Sequence, residues 1–351
     1  MSKVEIRSIR VGELVDFIED YLKAAPSDAL VPISRRRAIS QVNNPHAKVE
    51  DRALLVAYQG AELIGYLGIL PSRLRVGEGY EKVEFTTTVY VPPDRRTTAA
   101  GLILARATFS IQGNVVGCDN RPRAERLWRG FHQASELEPL KIYEFPIGLI
   151  DESSLFLDEA LQGVRAECVS YSEILSLPKL CSGDDSPRFF RSYETVAWMM
   201  QYPWLRTHDD DNDPIDARYF FGHPDRRIRY LAFALYDSRT SEYLGLQVFS
   251  TLSSTQSSVR SLRILDSFCE GRLDKSKVWA LALQVARSEG VTHVVASEDW
   301  MRHLDRPSMI RTLPWFRKRS YFIRPSKSNA VIATALSRVE RQHADGDTAF
   351  T

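Results

Sequence analysis

Cysteine is scarce in this sequence, and its spacing does not suit a metal site. Four cysteines, Cys118, Cys168, Cys181 and Cys269, are spread over 351 residues, and no Cys-x-x-Cys pair occurs. Structural zinc sites and disulfide frameworks need closely repeated cysteines. The pattern therefore predicts reduced thiols in a cytoplasmic protein that needs no metal.

Long apolar runs and an excess of one charge are also missing. No run of about 18 apolar residues, the length that marks a membrane-spanning helix, is present. The N-terminal stretch MSKVEIRSIR contains no apolar core of a secretion signal. Formal net charge is only +1 at pH 7, so no global field attracts nucleic acid or an anionic membrane. We therefore expect neither DNA nor a membrane among the partners.

The chain is long enough for two folded domains. At 351 residues, with 44% hydrophobic and 26% charged residues, it has an ordinary globular composition, and either half can bury a core. We predict a first domain at residues 1–150, a linker at 151–188, a second domain at 189–340 and a tail at 341–351. The linker sequence is mixed and polar, and we also expect it to be where a strand could be exchanged between the domains.

The stretch from Lys82 to Ile111 reads as a strand, a tight loop and a helix. Residues 84–91 are rich in Thr, Val, Phe and Tyr, which favours a strand, and Pro92 and Pro93 end it. A run of small residues at 97–101 then leads into an apolar helix. Small side chains leave the first helical N–H groups open to an anion, and the helix dipole favours negative charge there. A diphosphate is the predicted ligand.

The loop in this stretch resembles a known motif. Val91-x-Pro93-x-x-Arg96-x-x-Ala99-x-Gly101 resembles motif A of the GNAT acyltransferases, V-x-P-x-x-R-G-x-G-x-G/A, and departs from it at Thr97 and Ala99, where glycines are common. In that family the loop amides hold the pyrophosphate of coenzyme A. The family's strand before the loop splays from its neighbour, so that its amides can meet the thioester oxygen. The resemblance therefore implies cofactor contacts at Val89, Val91, Arg96, Thr97, Thr98, Ala99, Ala100 and Gly101.

A second segment resembles the same family. A strand at Asn114–Cys118 is followed by a predicted helix at Pro122–His132, which is similar to the family pattern N-x-x-x-A-x-x-L-Y-x-x-x-F. The matching residues are Asn120, Ala124, Leu127, Trp128 and Phe131. The family's tyrosine, often the general acid for the leaving thiolate, is Trp128 here, and an indole N–H does not give up its proton in ordinary catalysis. The resemblance adds Asn120, Ala124 and Trp128 to the implied cofactor site.

The order of predicted elements gives the fold class. A first strand and helices, including a polar segment at Ser34–Asn43 that we expect to close the substrate side, precede three strands, the loop and its helix. The second half repeats strand, strand, strand, helix, strand, helix without any copy of the loop. We predict an α/β (α+β) fold with two GNAT-like domains, each a mixed, mostly antiparallel sheet flanked by helices, the second degenerate and on the acceptor side.

The catalytic groups are less clearly marked than the loop. Acyl transfer to an amine needs a neutral amine, a polarised thioester and a proton acceptor. Glu84 is the carboxylate on the predicted strand, and it is either a base, directly or through water, or a solvent-facing charge. Asp119 and His132 are the alternative bases, and a surface position is the other interpretation of the histidine.

The acceptor should lie between the halves. Trp198, Tyr202 and Trp204 could stack on a base or sugar ring, or else belong to the core. Asp266 and Ser267 end the strand that corresponds to the catalytic strand of the first half. The basic groups Arg226-Arg227 and Arg317-Lys318-Arg319 are either phosphate contacts or ordinary surface charges.

These features lead to one preferred function and two alternatives. The preferred function is an N-acyltransferase that uses acetyl-CoA or a longer acyl-CoA and no metal. Resemblance to two-domain sugar N-acyltransferases implies a nucleotide-linked amino-deoxy sugar of surface-polysaccharide synthesis as acceptor. The alternatives are an aminoacyl-tRNA-dependent transferase of the peptidoglycan-precursor type and a non-catalytic CoA-binding module. The sequence leaves a homo-oligomer open.

Overall fold

A computed structural model describes most of the chain: residues 3–110, 113–118, 122–130, 134–149, 161–180, 187–207, 213, 215, 218–269, 273, 275–301, 315–325 and 334–335. In this part, thirteen strands form one mixed sheet, and eight α-helices accompany it. The predicted α/β class is confirmed. None of the helices in these ranges is long and apolar enough to span a membrane.

The elements divide into a first and a second half along the chain. The first half contains β1 Val4–Arg10, α1 Leu14–Ala24, α2 Arg35–Val42, β2 Arg52–Gln59, β3 Glu62–Val76, β4 Gly79–Tyr90, α3 Ala100–Phe109, β5 Asn114–Cys118, α4 Pro122–Gly130 and β6 Ser135–Pro146. The second half contains β7 Val164–Val169, α5 Tyr171–Ile174, β8 Arg188–Phe189, α6 Tyr193–Gln201, β9 Arg226–Asp237, β10 Tyr243–Ser254, β11 Ser257–Cys269, α7 Lys275–Ser288, β12 His293–Ser297, α8 Glu298–Met301 and β13 Trp315–Arg324.

The two halves exchange a strand at the middle of the sheet. The strand order is β1-β2-β3-β4-β5-β13-β6-β12-β11-β10-β9-β7, with β8 added beside β3. Thus β13, from the end of the chain, pairs with β5 of the first half, and β6 of the first half pairs with β12 of the second. The exchanged strands are therefore β6 and β13. The predicted exchange site, the 151–188 segment, instead supplies the edge strand β7 and the short helix α5.

Helices cover both faces of the first half because its strands bury side chains on both sides. On β2, Leu54 and Val56 pack toward α1 and α2, whereas Leu55 and Ala57 pack toward α3. In the second half, α7 covers one face and α6 the other. The cluster beneath α6 includes residues from both halves, such as Phe85. The sheet is thus buried across its centre, where the two halves meet.

Candidate active site

An opening in the sheet lies between β4 and β5. These strands run parallel but pair only from Val83 to Thr86 on β4. Beyond that point the register between β4 and β3 shifts by one residue, and Thr88 has a positive φ of 34°. This is a β-bulge, which leaves one residue unpaired and bends its strand. The bulge turns the end of β4 away from β5, as the predicted splay requires.

A glycine on β3 makes room for this bulge. Gly68 lies opposite the bulge, and a Cβ there would lie 2.5 Å from Thr87 Oγ1 and 2.7 Å from Thr88 Oγ1. It would also lie 3.0 Å from Arg37 Nη2. No larger residue fits without moving these groups. Gly68 thus allows two hydroxyls and a guanidinium to meet at the opening.

A cavity of about 320 Å³, called here the main cavity, fills the opening. One wall consists of Thr86–Val89 on β4, Gly101 and Ala105 on α3, and Ala124 and Trp128 on α4. The facing wall contributes Arg37 on α2 and residues from the second half, Trp204, Tyr219, His223, Arg226, Arg263 and Arg317. Both halves therefore build one cavity, and it starts at the loop that the sequence predicts to hold a diphosphate.

The predicted diphosphate loop forms a short 3₁₀ helix followed by α3. The 3₁₀ helix spans Pro93–Thr98, and Ala99 then adopts a left-handed conformation with φ 61°. As the N-cap of α3, Ala99 offers no side-chain oxygen to the first N–H groups of the helix. A Cβ on Gly101 would have only Val91 Cγ2 within 4 Å, at 3.7 Å. The Ala100 N–H donates to Thr98 Oγ1 at 3.4 Å, and this uncrowded helix start fits the diphosphate of coenzyme A.

Arg37 is a cavity residue that sequence reasoning did not identify. Only 2% of its surface is exposed. Its guanidinium donates hydrogen bonds to the Tyr219 hydroxyl at 2.9 Å and to Thr87 Oγ1, and it lies 3.8 Å from the centre of a Trp204 ring. The segment 34–43 is a helix as predicted, but three consecutive arginines gave no sign that this one is buried. Arg37 therefore places a positive charge beside the bulge of β4.

The facing wall is electropositive. Arg226, Arg263 and Arg317 line it together with Arg37, and none of the described residues around the main cavity is Asp or Glu. Arg263 is 8% exposed. Burial lowers its pKa to about 10, and repulsion from Arg317 and Arg226 contributes. The cavity thus favours an anionic or neutral ligand over a cation.

Comparison with known proteins identifies the fold. No family model and no curated protein matches the chain. A GCN5-related N-acetyltransferase from Anabaena variabilis is 15% identical, with a TM-score of 0.50 over 91% of this chain and 72% of its own. A conserved protein of unknown function from Enterococcus faecalis, described as a probable N-acyltransferase, is 9% identical, with a TM-score of 0.54 over 93% and 73%. N-myristoyltransferase from Saccharomyces cerevisiae with bound myristoyl-CoA is 10% identical, with a TM-score of 0.51 over 94% and 80%. The chain has the GNAT fold.

Within this GNAT fold, only some of the predicted cofactor residues line the main cavity. Val89, Gly101, Ala124 and Trp128 do so. The remaining described ones, Val91, Arg96, Thr97, Thr98, Ala99 and Ala100, form the loop and the first turn of α3 beside it. Arg96 is exposed, and its Nε donates to the Val91 carbonyl oxygen at 3.3 Å. Asn120 lies outside the described residues.

Trp128, for which the motif resemblance predicts the position of a tyrosine, packs against Gly117 of β5. Its ring stacks on Phe322 with centroids 5.9 Å apart. A Cβ on Gly117 would lie 2.4 Å from the indole, so only glycine at this position lets the ring reach its place. The side chain is 5% exposed and forms part of the cavity wall. Its position is that of a packed wall residue.

Of the three predicted bases, the described residues include Glu84, which does not line the main cavity. Glu84 is buried in the middle of β4, with Lys82 Nζ 3.6 Å and Arg52 Nη2 3.9 Å from its carboxylate oxygens. Burial raises the pKa of Glu84, and Arg52 and Lys82 oppose that rise. Glu84 is not among the residues that line the cavity. Asp119 and His132 lie outside the described residues.

Of the five predicted acceptor residues, one lines the main cavity and four do not. Trp204 lines the main cavity beneath Arg37. Trp198 is buried and donates its indole N–H to the Ser40 carbonyl oxygen at 2.7 Å, and Tyr202 packs against the same core. Asp266 and Ser267 lie on β11 away from the cavity, where Asp266 pairs with Arg191 at 2.6 Å. Among the described residues, no group of three or more His, Cys, Asp and Glu side chains is arranged to hold a metal.

Proposed function

We propose that this protein is an acyl-CoA-dependent N-acyltransferase that brings donor and acceptor together in the main cavity. One observation carries the proposal: a single cavity connects the uncrowded start of α3 and the bulged end of β4 with a wall supplied by the second half. The donor lies along β4 and α3, and the acceptor lies against the facing wall. The resemblance of the fold to acetyl- and myristoyltransferases supports this assignment.

The reaction joins the acceptor nitrogen to the thioester carbonyl carbon, and the carbon–sulfur bond breaks. CoA leaves as a thiolate, which takes up the proton that the amine loses and becomes the free thiol. The start of α3 holds the diphosphate, and backbone amides of Val89–Val91 polarise the carbonyl oxygen. The amine must be neutral to attack. Positive charges nearby disfavour an ammonium ion, and Arg37 lies beside Thr87 on the reacting strand. The cavity therefore favours the reactive form of the amine.

His223 is the cavity residue best suited to accept the proton that the amine loses. It lines the main cavity, where the described residues include no carboxylate. A neutral imidazole has one ring nitrogen that can accept a proton. We assign it the role of general base in place of Glu84. Replacement by alanine should lower kcat and remove the low-pH limb of the rate profile, whereas Glu84→Gln should leave that limb in place.

The proposal also includes a class of acceptor. We retain a nucleotide-linked amino-deoxy sugar, which rests on the family resemblance, and the electropositive wall is compatible with its phosphates. A cytoplasmic location, and an acceptor that is a small molecule and neither DNA nor a membrane, belong to the same proposal.

The test begins with binding of CoA and ends with turnover. Calorimetric titration with CoA should show one site, and acetyl-CoA or a longer acyl-CoA with a panel of amines should release free thiol. If no CoA analogue binds at millimolar concentration, the proposal is wrong. Binding of CoA without thiol release for any amine would instead favour the non-catalytic module. A salt-dependent gel shift with tRNA would favour the aminoacyl-tRNA-dependent alternative.

A further inference from the structure

Three arginines from three different strands converge at the far end of the main cavity. Arg226 begins β9, Arg263 lies within β11, and Arg317 lies on β13. The strand exchange brings β13 to the centre of the sheet, so the three charges come from segments far apart in the sequence. We call these three residues the arginine triad.

The arginine triad also lines a second cavity. This side cavity has a volume of about 470 Å³ and contains Arg226, Arg263 and Arg317 in its wall. Its other polar residues are Ser253, Ser254, Ser257, Ser261 and Glu144. Phe316, which is 56% exposed, contributes an aromatic ring. The triad therefore stands where the two cavities adjoin, and a ligand that extends from one to the other passes it.

The chemistry of this junction suits a phosphate. Guanidinium groups pair with phosphate oxygens through two parallel hydrogen bonds, and serine hydroxyls add further donors. Arg226 and Arg317 both repel the buried charge of Arg263, and a bound anion relieves that repulsion. Glu144 is the one carboxylate among the described residues of the two cavities, and Ser254 already donates to Asp225 at 2.8 Å. Among the described residues that line the two cavities, positive charge still predominates.

We propose that the arginine triad binds the phosphate or diphosphate of a phosphate-bearing amine acceptor. The amine then lies in the main cavity near Thr88, and the part of the acceptor beyond the phosphate lies in the side cavity. This assignment rests on the proposed acyltransferase function. The arginine triad then selects the acceptor, so the second half of the chain determines acceptor specificity.

Inorganic pyrophosphate is the probe for the test. The background is the full chain carrying Gly101→Trp, which closes the predicted diphosphate loop. In that background we expect pyrophosphate to bind. Arg226→Gln or Arg317→Gln should each weaken it about tenfold, the effect of losing one charge-assisted contact. Both residues are partly or fully exposed, so these variants should fold.

The matched controls are the neighbouring residues Arg227→Gln and Lys318→Gln. Each removes the same charge one position along the same strand, and neither residue lines either cavity. We expect pyrophosphate binding to change less than about twofold in the controls, since adjacent residues of a strand point to opposite faces of the sheet. Equal weakening in triad and control variants, or no pyrophosphate binding at all, would refute the triad site.

CoA titration of the same variants without Gly101→Trp separates this inference from the proposed function. Arg226→Gln and Arg317→Gln should bind CoA as the wild type does. If they lose CoA instead, the triad serves the donor and the inference is wrong. If the wild type does not bind CoA, the acyltransferase proposal fails, and an intact pyrophosphate site would then not be an acceptor site.

Discussion

Each half of the sheet contains a bulged strand beside a parallel strand, and the bulge leads to a cavity in the first half but to a buried side chain in the second. In the first half, β4 runs parallel to β5 and carries a bulge at Thr88. In the second half, β11 runs parallel to β12, and its register with β10 shifts at Leu265. Val89 and Asp266 each follow the bulge. Val89 is 42% exposed and lines the main cavity, whereas Asp266 is 4% exposed.

Side chains fill the second opening. Asp266 pairs with Arg191 at 2.6 Å, and the Gln247 side chain donates to the Asp266 carbonyl oxygen at 2.7 Å. Tyr193 packs edge-on against Phe268, with centroids 5.3 Å apart. The bulge and the parallel pair therefore make an opening available, and the residues around it decide whether a ligand can enter.

The largest expected effect is the loss of CoA binding when the open site of the first half is filled. Gly101→Trp places an indole in the main cavity, because the backbone at Gly101 has room for a Cβ. CoA binding should then be undetectable by calorimetry at millimolar CoA, while circular dichroism shows a folded protein. Leu102→Trp is the control, since Leu102 is 47% exposed and does not line the cavity. Normal CoA binding by Gly101→Trp would show that the loop is not the site.

At the closed opening of the second half, we expect a substitution to lower the unfolding free energy. Asp266→Asn removes the negative charge that faces Arg191 in a buried position, and such losses cost about 3 kcal/mol of unfolding free energy. The corresponding change in the first half, Val89→Asn, should cost less than about 0.5 kcal/mol, because that side chain is largely exposed. Urea unfolding of both variants measures the difference. Equal losses would contradict a closed second opening.

A smaller effect concerns the wall next to the open site. On β5, Gly117 follows Val116, and Val116 pairs with Phe85, the third residue before the bulge. The residue of the second half that corresponds to Gly117 is Val295 on β12. Gly117→Ala puts a Cβ 2.4 Å from the Trp128 ring, and such overpacking costs about 1–3 kcal/mol. Trp128→Leu in the same background should recover part of that loss in thermal unfolding. Gly130→Ala on α4 is the control, as nothing lies within 4 Å of its Cβ.

Local features of the fold were predictable, and features that depend on distant pairing were not. The strand, loop and helix of residues 84–109 follow from β-branched residues, two prolines and a run of small residues, all neighbours in sequence. The bulge at Thr88 depends on its register with β3, which no local pattern reveals. The exchange of β6 and β13 likewise depends on strands that are far apart along the chain.

The charged residues of the site were the hardest to predict. A sequence pattern treats an arginine as a surface residue, because burial of a charge is unfavourable without a partner. Arg37 and Arg263 are nevertheless buried, and only the packed structure brings them to one cavity with Arg226 and Arg317. Asp266 was expected at the acceptor because its place on β11 resembles the reacting strand. Its pairing with Arg191 could not be read from the sequence.

The smallest expected effect tests why the open loop departs from the family pattern at Ala99. Ala99 is left-handed, with φ 61°, and an L-residue pays about 1–2 kcal/mol for this conformation. Glycine removes that strain, but its greater freedom in the unfolded chain lowers the unfolding free energy by about 0.4–1 kcal/mol. Ala99→Gly should therefore raise the unfolding free energy by roughly 0.5–1 kcal/mol and leave CoA affinity no weaker. Ser241→Gly, at φ 57° between β9 and β10 of the second half, should give a similar gain without touching the loop. A loss of CoA affinity in Ala99→Gly alone would mean that the alanine methyl helps to hold the diphosphate.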